Sequence, residues 1–194
     1  PPFAMTGYKT GGYCVSASGE YPNAAYLAHE AFNGTVVDNG DCWLSTDATY
    51  DANTGNYNGS ANLGSDSGGP AFANADKGEW LKLEMPHEFL LDYITICGST
   101  TGGVNPKDWK IYGSNDDKNW DVLLSKTNAV TAAYNATSGK EHTVGASKAY
   151  KYFALVVTKS GGLSGSHYIQ VGELEFYGHR ENDLVRLPDP TNVL

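Results

Sequence analysis

An all-β jelly-roll sandwich with one short helix and long loops is the fold this sequence predicts. Three observations point to it. Glycine is abundant (23 of 194 residues), aromatics reach 12% and charged residues only 18%. That balance suits turn-rich β proteins rather than helical ones, which lean on Ala, Glu, Lys and Leu. Short stretches of alternating character recur between turn signals, and no helical periods separate them, which argues against a parallel α/β sheet. Finally, two distant stretches read as paired parts of one sandwich: Asp108-Trp-Lys-Ile-Tyr-Gly-Ser-Asn-Asp-Asp-Lys-Asn-Trp120 and the closing Val171-Gly-Glu-Leu-Glu-Phe-Tyr-Gly178. The length suits one large domain with tails and a substantial core.

The elements follow in chain order. Residues 13–17 form a first strand after the turn-forming Gly11-Gly12. Pro22-Asn23 starts a helical stretch over 24–32, with Ala25, Leu27, Ala28 and Phe32 on one face, and Asn33-Gly34 ends it. Residues 46–77 carry little periodicity and many Gly, Asn, Ser and Asp; a loop this long is functional, mobile or internally folded. It holds Tyr50 and Tyr57, which either contact a ligand or pin the loop to the sandwich. Strands resume at 79–84 and 90–97. They continue at 109–114 and 121–125 across an Asn115–Asn119 turn, then at 141–144, 150–158 and 169–177. Trp43, Trp80, Trp109 and Trp120 read as core or strand-packing residues. The domain therefore spans 11–178, with an extension over 1–10 and a Pro-bounded tail or linker over 179–194.

Charge and motifs narrow the function. A formal net charge of −9 argues against nucleic acid, which demands clustered Lys and Arg, and against docking on anionic lipid by charge alone. No apolar run approaches the roughly 18 residues that span a bilayer, so no membrane insertion is expected. The chain opens on Pro1-Pro2-Phe3 without an initiator Met, as a processed or trimmed segment of a longer product would. Cys14, Cys42 and Cys97 match no zinc or redox spacing and allow one disulfide or none. Asn33, Asn58 and Asn135 are glycosylation acceptors by sequon. Asp66-Ser67-Gly68-Gly69-Pro70 matches a serine-protease nucleophile turn locally, but no partner histidine motif accompanies it. The expectation is that the chain is not an enzyme.

Five segments in order carry a family resemblance. They are Tyr13-Cys-Val-Ser-Ala-Ser18; Ala31-Phe-Asn-Gly34 leading to Asp41-Cys-Trp-Leu-Ser45; and Trp80-Leu-Lys-Leu-Glu-Met-Pro86 with Leu91-Asp-Tyr-Ile-Thr-Ile96. The Trp109–Trp120 hairpin and the closing 171–178 strand complete the set. Together they resemble the discoidin group, also called coagulation factor 5/8 type C domains, with a galactose-binding-like fold similar to carbohydrate-binding module family 32. Asn33 stands where that family usually has Asp, and the 46–77 insertion is large.

The resemblance implies a lectin-like module that reads a glycan or glycoprotein surface, as part of a larger extracellular, cell-surface or virion-surface protein. It also implies a structural Ca²⁺, for which Asn33, Asp38, Asp41 and Glu173 are the candidate side chains; Ca²⁺ takes about 6–8 oxygen ligands. A sugar site needs an aromatic face for the ring C–H patch and polar groups for hydroxyls. Tyr50, Tyr57, Asn58, His167 and Tyr168 are the candidates. The competing reading is a structural or assembly subunit that contacts neighbouring subunits through its tails. Phospholipid binding, as in clotting-factor members, lacks an evident apolar spike with basic neighbours.

Overall fold

The computed structural model describes residues 1–35, 40–63, 76–98, 102–129, 140–162 and 167–180. Its strands are β1 (Lys9–Thr10), β2 (Tyr13–Ala17), β3 (Trp43–Leu44), β4 (Glu79–Cys97), β5 (Pro106–Ser114), β6 (Asp121–Lys126), β7 (Lys140–Thr143), β8 (Tyr150–Ser160), β9 (Gln170–Val171) and β10 (Glu173–His179). The expected all-β jelly-roll sandwich is borne out.

Strand β4 belongs to both layers. Its first half pairs antiparallel with β2 and β8, and β5 and β6 extend that sheet in the order β1-β2-β4-β8-β5-β6. Its second half pairs with β10 on one side and β7 on the other. The crossing falls where the pairing register with β8 shifts between Glu84 and Phe89, and Pro86 lies there because proline cannot donate to a ladder. The sequence expectation of two strands, 79–84 and 90–97, thus names the two halves of one element.

Alternation decides the layers. Leu81, Leu83, Phe153, Leu155, Val157, Trp109 and Ile111 face inward and meet Ile94, Ile96 and Leu174 of the other layer in the main core. Trp80, Tyr112, Ala154 and Val156 point outward from the same sheet. They form a second, smaller core with Trp120 and Leu63, so the long loop covers part of the outer face. All four tryptophans are buried, as expected. The turn after β5 is organised by Asp116, whose carboxylate accepts the Lys118 and Asn119 amides at 2.9 and 2.7 Å.

Two further expectations need correction. The 24–32 helix reduces to a 3₁₀ turn, Ala28–Phe32. Partners from elsewhere in the fold take its backbone groups: the Glu20 carboxylate accepts the Ala28 amide (2.7 Å), and the Tyr26 carbonyl accepts the Leu44 amide (3.4 Å). The closing strand breaks at Gly172, whose amide bonds the Cys97 carbonyl (2.9 Å). Val171 therefore pairs with β3 while Glu173 pairs with β4. The 46–77 loop folds internally over its described part: residues 50 and 57 bridge each other, and residue 56 bridges Lys159 of β8. The three cysteines are free thiols. The Asp66–Pro70 motif, Asn135 and residues 181–194 lie outside the described residues.

His142 of β7 faces the core, edge-on to Trp109 with ring centroids 4.9 Å apart. Burial, with Lys126 and Lys140 nearby, lowers its pKa from 6.5 to about 4. Within that window the unfolded chain takes up a proton that the folded chain does not, so stability falls as pH drops from 6.5 towards 4. Thermal unfolding across this window should show a shallower pH slope for His142→Phe than for the parent chain; identical slopes would refute the assignment.

Candidate functional site

One end of the sandwich gathers most of the candidate residues. There β2 ends at Ala17, β4 begins at Glu79, β8 ends at Ser160 and β5 begins at Pro106, as the registers Ala17–Leu81, Glu79–Val157 and Pro106–Ser160 require. The 46–62 segment folds over this rim. Its tip is an Asp51-centred turn, in which the carboxylate accepts the amides of Asn53 and Thr54 and the Thr54 hydroxyl. These donors, the Thr54 amide foremost, hold the Asp51 carboxyl below the usual range. Two straps tie the turn to β8: the Tyr57 amide to the Thr158 carbonyl and the Ser160 amide to the Gly55 carbonyl.

Tyr50 does not reach the surface, which corrects its assignment as a ligand contact. It is 1% exposed, and its hydroxyl donates to the Val157 carbonyl (2.7 Å) and accepts the Glu79 amide (3.3 Å). Its role is to peg the loop into the core. Tyr57 packs edge-on against it, with centroids 5.1 Å apart. The Tyr57 hydroxyl donates to Glu79 Oε1 (3.2 Å) and accepts the Ala61 amide (2.9 Å). Burial and then the Glu79 charge push its pKa upward, so it stays a neutral donor.

Tyr57 borders a groove of ≈ 330 Å³ lined also by Ser18, Thr46, Thr49, Ser60 and Glu79. Ser18 Oγ donates to Glu79 Oε2 at 2.5 Å and accepts the Trp80 amide at 2.9 Å. The groove thus joins an aromatic side chain to hydroxyls and a carboxylate. Sequence reading missed Ser18, Thr46, Thr49 and Glu79. The available signal was positional: Glu79 is the inward-facing residue two before Leu81, placed where the core opens into the loop.

Asn58 is exposed beside this groove. His167 is exposed, with Nδ1 at 3.2 Å from the Tyr50 carbonyl. Tyr168 is half-buried, edge-on to Tyr21 at 5.8 Å. The proposed metal ligands behave less uniformly. Glu173 is 7% exposed and its Oε2 accepts the Gly34 amide (3.2 Å), which brings it to the Asn33 loop. Burial, with the Glu175 charge adding to it, pushes its carboxyl up to about 9 against the Gly34 hydrogen bond. Asn33 Oδ1 accepts the Thr35 amide (2.7 Å), and its Nδ2 donates to Glu30 (2.8 Å), a neighbour the sequence did not single out. Asp41 is exposed, and Asp38 lies outside the described residues. Among the described residues, no three His, Cys, Asp or Glu side chains cluster as a metal site. Both amide atoms of Asn33 are engaged, so of the two described sequons Asn58 is the accessible one.

The F5/8 type C domain model matches residues 43–171, well over half the chain. The chain belongs to this family. It accordingly carries the expected discoidin-type fold. Solved structures that resemble it include a Clostridium perfringens module, CpGH89CBM32-5, in complex with GalNAc-β-1,3-galactose. That match has 13% identity and a TM-score of 0.57, covering 87% of this chain and 96% of that one. The family 32 carbohydrate-binding module of Streptococcus pneumoniae EndoD matches at 13% identity and TM-score 0.58, over 86% and 96%. A chitosan-binding module of a Paenibacillus sp. IK-5 chitosanase/glucanase matches at 16% identity and TM-score 0.57, over 86% and 96%. A search of curated proteins returns no match. No helix among the described residues is long and apolar enough to cross a membrane.

The peg is testable. Tyr50→Phe leaves the Val157 carbonyl without its donor, which should cost about 1–3 kcal/mol in denaturant unfolding. A change within error would mean the hydroxyl is not what anchors the loop.

Proposed function

We propose that this F5/8 type C domain is a non-catalytic carbohydrate-binding module whose ligand lies in the groove between Tyr57, Glu79 and the 46–49 segment. The supporting observation is the composition of that groove. It sets an aromatic side chain beside four hydroxyl-bearing residues and a carboxylate, at an end of the fold built from loops. The ligands of two similar modules, GalNAc-β-1,3-galactose and chitosan, support a glycan as partner. The setting we infer is the surface of a larger extracellular, cell-surface or virion-surface protein. Each site would bind weakly and gain strength by multivalency.

Calcium is a separate part of the proposal. Glu173 is a buried carboxyl whose ionised form is disfavoured by burial, and Asn33 offers an amide oxygen on the adjoining loop. A carboxyl and an amide oxygen are the kind of donors a hard divalent cation takes. Glu173 and Asn33 would hold it, and its contribution would be to fix the 33–35 loop against β10. Exposed Phe3 and Tyr8, each 43% accessible, favour a second reading in which the N-terminal extension contacts neighbouring subunits.

A glycan array run with and without chelator tests the main reading. Binding should appear, and Tyr57→Ala should weaken it at least ~10-fold, about 1.4 kcal/mol. Silence across the array would sink the lectin assignment. Millimolar Ca²⁺ should raise the unfolding temperature relative to EGTA, and Glu173→Gln should erase the increment. No shift with Ca²⁺ would remove the metal. Sedimentation of the chain with and without residues 1–10 addresses assembly: monomers in both cases would count against the subunit reading.

A further inference from the structure

We infer that the site takes an oligosaccharide of two or more units, laid over the 46–49 segment from the Tyr57 groove to a second subsite at His167 and Tyr168. This rests on the groove being a sugar site. The groove alone, at ≈ 330 Å³, sits at the lower end of the range for small-molecule sites.

Thr49 joins the two subsites. It lines the groove, while its amide donates to the His167 carbonyl at 3.0 Å; the Tyr50 amide donates to the same oxygen at 3.1 Å. The 167–168 segment is therefore held against the back of the groove wall. The wall is low at its crest. Asp47 and Ala48 are exposed, and the Asp47 carboxylate folds back to accept the Ala48 amide at 2.8 Å. Only a methyl group remains at Ala48, whose φ of 61° lies in the left-handed region that residues with a side chain rarely adopt. Strain of this kind persists where surrounding structure imposes it, and it clusters at ligand sites.

The far side of the crest has the chemistry of a sugar subsite. Tyr168 is half-exposed and braced edge-on by Tyr21, which Tyr26 braces in turn at 6.0 Å, so the ring is pre-positioned. His167 Nδ1 faces the Tyr50 carbonyl, which accepts its proton in the neutral ring. That hydrogen bond selects the tautomer in which Nε2 is an acceptor for a sugar hydroxyl.

Titration calorimetry on the whole chain decides the matter, with two probe pairs: galactose against GalNAc-β-1,3-galactose, and glucosamine against a glucosamine tetramer. For at least one pair the longer ligand should bind ~10-fold or more tightly than its monosaccharide. Tyr168→Ala should collapse that ratio towards one while leaving monosaccharide affinity unchanged, and Ala48→Trp should weaken the longer ligand more than its monosaccharide. Ala48→Gly, which fits the backbone and keeps the crest low, should preserve the ratio and so controls for folding. Equal affinities within both pairs, or a Tyr168→Ala loss shared equally by short and long ligands, would overturn the extension while leaving the Tyr57 site standing. Binding by none of the four probes would overturn the inference together with the sugar reading beneath it.

Discussion

The arrangement depends on β4 serving two sheets at once. One half of the strand holds β2 and β8, the other holds β10 and β7, and a proline-marked crossing separates them. Both layers are thereby registered by a single covalent segment. The crossing sits away from the rim where β4 begins, so loops at that rim can vary without disturbing the junction. Glu79, the first residue of β4, is fixed by this geometry at the mouth of the groove.

The second constraint is how a polar loop is attached to an apolar core. Burying a tyrosine hydroxyl without partners is costly, and Tyr50 avoids that cost by bonding the backbone of two strands at once. The peg places Tyr57 beside Glu79, and the ridge that follows from it carries Thr49 towards His167. Aromatic pinning, strand register and groove shape are thus successive links of one chain of cause.

Much of the fold was legible in the sequence because period-2 alternation and turn residues are local signals. The 13–17 strand, the Trp109–Trp120 hairpin and the four buried tryptophans all follow from them. The helix over 24–32 failed because its periodicity was real but its backbone partners were distant: Glu20 and Leu44 capture the amide and carbonyl that a helix would have used. The candidate site was legible by region rather than by residue. Tyr57, Asn58, His167 and Tyr168 do share one end, yet Tyr50 turned inward. Glu79 looked like an ordinary strand carboxylate until strand order placed it at the rim. No local pattern distinguishes a tyrosine that pins a loop from one that a loop presents.

The long loop also has a duty on the outside of the sheet. Leu63 and Ala61 cover Trp80, Tyr112 and Trp120, which would otherwise form an exposed aromatic patch on the broad outer face. Shortening the loop to simplify the site would uncover two indoles and a phenol at once. Apolar patches of that kind drive self-association in soluble domains. The segment that shapes recognition at the rim is therefore also the protein's guard against aggregation, and it cannot be redesigned for one purpose without regard to the other.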